Sequence, residues 1–174
     1  MLLRPIASFA CTMLLAISAF AQGGKPTSPA ETASVELKSG SITVKYAAPS
    51  MRGRKVMGEL VPYGKVWRTG ANEATTFATN TALKIGNASV PAGTYTLFTL
   101  PSANQWMLII NKQTGQWGLE YHQEQDLIRI PMKSAKLASP QEQMSISFEN
   151  TSGNSTELHV KWENTEESVA ITAQ

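Results

Sequence analysis

Cysteine is all but missing from this chain: the single one, Cys11, lies in an apolar N-terminal stretch. Arg4, the short apolar run of residues 6–20 and Ala19-Phe20-Ala21 have the form of a secretory signal with cleavage after Ala21. A lipoprotein reading at Cys11 is rejected, because it would leave a signal of only ten residues, with Ser8 where a large aliphatic is expected. Without residues 1–21 no thiol remains, which excludes disulfides, Cys-ligated zinc and a thiol nucleophile. Long apolar runs are equally scarce. The N-terminal one is too short to span a bilayer comfortably and no later segment comes near a span. Histidine occurs only twice, at His122 and His159. No Gly-x-Ser-x-Gly elbow, internal repeat or helical periodicity beyond about two turns is present. Neither sign of charge dominates. Taking Arg4 from the 15 basic residues leaves 14 against 13 acidic ones, so a nucleic-acid partner is not expected.

Short alternating segments fill the rest. The expected organisation is a signal peptide at residues 1–21, a polar tether at 22–33 and one β-rich domain at 34–174, which places the protein in the periplasm or outside the cell. Val35/Leu37 and Ile42/Val44/Tyr46 alternate around Ser39-Gly40, a hairpin pattern. Residues 94–100 are rich in Thr and aromatics, as strands are. Residues 105–111 are apolar on both faces and read as a central strand. Ile128/Ile130/Met132, Met144/Ile146/Phe148 and Leu158/Val160/Trp162 each give a strand one buried face, with hairpin turns expected at Gly153-Asn154 and Asn164-Thr165. Some nine to eleven short strands make an all-β fold, an antiparallel β-sandwich of jelly-roll type in a single domain; a closed barrel is the runner-up.

Residues 60–73, LVPYGKVWRTGANE, break this regularity. Gly64 and Gly70 permit sharp turns and Pro62 withholds a donor, so this is not one strand. Tyr63, Lys65, Trp67, Arg68, Asn72 and Glu73 crowd into it, and Arg52, Arg54 and Lys55 precede it as part of a basic cluster. Arg68 and Glu73 flank a bend across which they could pair. Polar groups against aromatic walls make a ligand site, suited to a sugar ring or, through Arg68 and Lys65, to a carboxylate or phosphate. Glu73 is the one catalytic candidate. Acid/base glycoside cleavage would need a second carboxylate, and Glu120, Glu124 and Asp126 are those in the other irregular region, residues 115–125 and the start of the next strand. His122-x-Glu124-x-Asp126 would suit a hard metal if it were a strand, but no metal site is expected.

Residues 53–55, Gly58 and residues 60–73, together with PAGTYTLFTLP at 91–101 and the run 106–111, resemble the signature of an exported bacterial domain-of-unknown-function family, number twenty-nine eleven. The resemblance implies export and a β-rich domain, and supplies no activity or catalytic residues. The expected function is a non-catalytic binding module for a small ligand, a sugar or an anionic group, without cofactor. Its expected partner is a small molecule or cell-envelope glycan. The alternatives are a hydrolase using Glu73 as acid/base, and a structural domain in which Arg68, Asn72 and Glu73 only lock a loop.

Overall fold

A computed structural model describes residues 27–174, so the expected signal and residues 22–26 of the tether lie outside the described residues. Ten strands form two antiparallel sheets. The larger contains β1 (Ala30–Leu37), β2 (Gly40–Ala47), β3 (Thr76–Thr79), β6 (Gly93–Leu100), β7 (Met107–Asn111) and β8 (Asp126–Pro131), adjacent in that order. The smaller runs β5 (Ala88–Val90), β4 (Leu83–Ile85), β10 (Ser155–Ala173) and β9 (Lys133–Ser152). Two sheets with separate strand orders make a sandwich rather than a closed barrel.

The alternation read from sequence sets the core. Ile42, Val44, Phe77, Leu97, Leu108 and Ile110 of the larger sheet are buried with Leu83, Ile85, Met144, Leu158, Val160 and Ile171 of the smaller one. Burying each such side chain stabilises the fold by about 1.5–3 kcal/mol relative to exposure. β7 lies between β6 and β8, and Leu108, Ile109 and Ile110 are all sealed from solvent. Its outward residue Ile109 and Phe98 of β6 are covered because irregular chain packs over that face; Tyr121 meets Phe98 edge-on at 5.1 Å.

Three details differ from the sequence expectation. β1 begins at Ala30 rather than near Ser34, its first residues pairing with residues 44–47 of β2. β9 also takes in the polar residues 133–143, which lack alternation; an edge strand tolerates this, and Pro140 with it. Asn164-Thr165 is no hairpin turn. β10 continues through a bulge there, with register shifts on both sides of Glu163 and a left-handed Glu163 backbone (φ 54°). Glu163 is held because its carboxylate accepts the main-chain N–H of Met57 at 3.0 Å. The extra residues of the irregularity lie on β9, and across it the inward-facing set of β10 reverses. Thr156, Leu158, Val160 and Trp162 are buried before the bulge, and Glu167, Val169, Ile171 and Ala173 after it.

Candidate functional site

Residues 48–75 connect β2 to β3 across one end of the sandwich. The middle of this connection acts as a short strand. Trp67 exchanges both main-chain hydrogen bonds with Thr99 of β6, at 2.8 and 2.9 Å, beyond the point where β3 stops pairing with that strand. Strand alternation then sends Trp67 and Arg68 to opposite faces. Trp67 packs into the core end, stacked on Trp162 of the facing sheet (5.9 Å, 19°) and edge-on to Trp106 (6.2 Å). Its indole N–H donates to the Gly70 carbonyl at 3.2 Å, and that of Trp162 to the Glu142 carbonyl at 3.1 Å.

Beyond Arg68 the backbone is strained. Thr69 (φ 52°) and Asn72 (φ 59°) are both left-handed. Asn tolerates this conformation, but a β-branched residue adopts it only when its surroundings compel it. Thr69 is compelled: it is fully buried, bonds the Thr99 hydroxyl at 3.0 Å, and its carbonyl accepts the Thr75 hydroxyl at 3.0 Å. Arg52 (φ 50°) and Gly53 (φ 71°) repeat the conformation in the turn after β2. Such strain collects at functional sites.

The second irregular region roofs Arg68. Trp117 bridges to Glu73, and Gly118 lies directly on the arginine stem. A Cβ at Gly118 would stand 2.2 Å from Arg68 Cδ and 2.5 Å from the Asn72 carbonyl oxygen, so glycine is required by space. Under this roof Arg68 Nε is buried with no hydrogen-bond partner among the described residues. Burial alone pulls the guanidinium pKa below its ordinary value. A cation taken out of water without an anion is unfavourable.

Arg68 lines a cavity of about 300 Å³ together with Arg52, Arg54, Trp67, Trp162 and Gly70, and no carboxylate is among the lining residues. The other two arginines are held by carbonyl oxygens. Arg54 donates to Met51 at 2.9 Å and Ser50 at 2.8 Å, and Arg52 to Thr27 at 2.8 Å. These bonds orient the side chains, and neither arginine has an ion pair among the described residues; Glu142 Oε1 accepts the Arg52 main-chain N–H at 2.8 Å. Three cations beside an aromatic stack suit a carboxylate or phosphate.

The six residues singled out by sequence are thus divided. Trp67 and Arg68 meet in the arginine cavity, and both also line a neighbouring one of about 230 Å³ with Lys65 and Tyr121. Tyr63 opens onto a third cavity. Asn72 is exposed, and its contribution is its left-handed backbone. Glu73 is exposed on another side, in a shallow cavity with Glu31, Lys45 and Tyr46. The expected Arg68–Glu73 pair does not form among the described residues, because strand-like extension and the following bend carry the two apart. Glu120, Glu124 and Asp126 do not line the Glu73 cavity. Arg52 and Arg54 were visible as a basic cluster, whereas Trp162 read only as core. Lys55 of that cluster instead pairs with Glu59 at 3.4 Å in solvent.

The His122-x-Glu124-x-Asp126 arrangement is also corrected. A 3₁₀ turn at Gln123–Gln125 breaks the strand that would have aligned the three. Asp126 instead accepts Tyr121 Oη and Arg129 Nε, each at 2.7 Å, and Asn111 Nδ2 at 2.8 Å. Burial and the neighbouring Asp126 push the Tyr121 phenol up to about 12. On the other sheet, His159 is buried between Glu166 at 2.7 Å and Glu157 at 3.3 Å. Lys161 reaches into that cluster, 2.6 Å from Glu149 and 3.2 Å from Glu166.

Comparison with known proteins now adds a family. The description "Protein of unknown function (DUF2911)" matches residues 28–171, nearly the whole described chain. The chain belongs to the DUF2911 family. No curated protein and no solved structure matches it. The DUF2911 match includes every residue of the arginine cavity except Thr27, so the cavity belongs to the family domain rather than to an appendage.

Proposed function

We propose that this DUF2911 domain is a non-catalytic binding module that takes up a small molecule by its anionic group, carboxylate or phosphate, in the cavity formed by Arg52, Arg54 and Arg68. The observation that carries this reading is the half-buried Arg68 guanidinium, roofed by Gly118 and paired with no anion among the described residues. An anionic ligand would supply the missing charge, and the exposed part of the Trp67–Trp162 stack would cover its apolar portion. The proposal includes export: the basic residue, apolar run and Ala-Phe-Ala of residues 1–21 support a cleaved signal and a periplasmic or secreted location. The ligand would then be a solute or fragment of the cell envelope.

Calorimetric titration of the purified protein with inorganic phosphate, citrate and glucuronate tests the reading. At least one is expected to bind, more weakly as salt rises, with affinity falling tenfold or more in Arg68→Gln. No binding by any of the three, or binding unchanged in the folded variant, would refute it.

A further inference from the structure

Glu167 breaks the pattern of its strand. After the bulge at Glu163 the inward positions of β10 are Glu167, Val169, Ile171 and Ala173, so a carboxyl occupies a place where the core expects an apolar side chain. It is only 1% exposed. One oxygen, Oε2, accepts the Ser134 hydroxyl at 2.8 Å. Oε1 has no hydrogen bond among the described residues, and Lys136, which lines the same cavity, forms no ion pair with it. Burial pushes this carboxyl up to about 7. Buried acids are rarely left in this condition without a use.

Glu167 lines a cavity of about 380 Å³ assembled from four segments: Tyr63, the β6–β7 turn, the start of β9 and the β10 bulge. Tyr63 is 45% exposed there, its ring resting on Gly58, where a Cβ would stand 3.2 Å from the ring. The main-chain N–H of Gly64 bonds the Pro101 carbonyl at 2.8 Å and fixes the tyrosine beside the turn. The side chains of Asn104, Asn164 and Thr165 line the same space and make no hydrogen bond to any described residue. The lining therefore offers an open aromatic ring, amide and hydroxyl groups, and a buried carboxyl. With one buried carboxyl and one lysine among its lining residues, the cavity presents no excess of either charge. Neutral hydroxyls and a C–H face match what remains.

We infer that this cavity is a second ligand site, separate from the arginine cavity, that takes a neutral saccharide unit with Tyr63 as stacking platform and Glu167, Asn104 and Asn164 as partners for its hydroxyls. Titration of the protein with maltotriose, cellotriose and chitotriose, followed by amide chemical shifts, tests it. At least one trisaccharide is expected to bind and to shift residues 63, 102–106 and 164–167. Tyr63→Ala and Glu167→Leu should each lower affinity tenfold or more, while saturating phosphate does not compete. Because Tyr63 is exposed, its variant keeps the test valid should Glu167→Leu not fold. Absence of binding by all three sugars, affinity unchanged in Tyr63→Ala, or competition by phosphate would overturn the inference.

Discussion

At the scale of single residues, two positions carry costs that substitution can expose. Glu167 has a folded pKa raised from 4.5 to about 7 by burial. Between those values the folded chain keeps a proton that the unfolded chain releases, so this group lowers stability as pH rises through the window and holds it lower above it. The groups facing it are the Ser134 hydroxyl and, among charges, Lys136. Glu167→Gln removes the titration. The variant should equal the parent near pH 4 and exceed it at pH 8 by about 2–3 kcal/mol, as read from urea unfolding at the two pH values. Gly118 has the opposite character. Any side chain there collides with Arg68 and with main-chain Asn72. Gly118→Ala should cost about 1–3 kcal/mol in thermal unfolding and weaken binding at the proposed anion site, since the arginine must vacate its slot.

At the scale of elements, the irregular segments behave as additions to the larger sheet. Residues 66–68 extend it beside β6, and residues 115–125 cover them. The 3₁₀ turn at Gln123–Gln125 is anchored at its end by Asp126, which ties Tyr121, Asn111 and Arg129 together. Tyr121 also holds the roof down by packing on Phe98. Tyr121→Phe keeps that ring contact and deletes the hydroxyl. It should cost about 1 kcal/mol by urea unfolding and speed hydrogen exchange in residues 115–125 more than in β7.

At the scale of the whole molecule, two long strands brace the smaller sheet, and their outer face carries the acid response. Glu149 is held below the ordinary carboxylate range by Lys161 and Ser147, and Glu157 by Asn150 and His159. Glu166 is opposed by burial but drawn down by His159 and Lys161. Depressed folded values mean a contribution present above the unfolded value of 4.5 and lost as pH falls through the folded ones. Lys161→Met removes the cation nearest to Glu149 and Glu166. Acid unfolding, followed by circular dichroism, should then begin at a higher pH than in the parent.

The amino-acid sequence by itself determined the all-β class, the positions of most strands and the dense stretch at residues 60–73, because alternation and turn residues act over a few neighbours. The basic cluster around Arg54 was equally legible. Only the tertiary structure decided which of these side chains meet. Arg68 and Glu73 are five residues apart yet face different cavities, whereas Arg68 and Trp162, from opposite sheets, line the same one. Glu167 shows why. Its burial depends on the irregularity at Glu163, across which the inward parity of β10 reverses, and Glu163 is held there by main-chain N–H groups of residues 56 and 57, far away in sequence. Periodicity records which residues alternate; long-range pairing settles which set faces inward and what lies opposite.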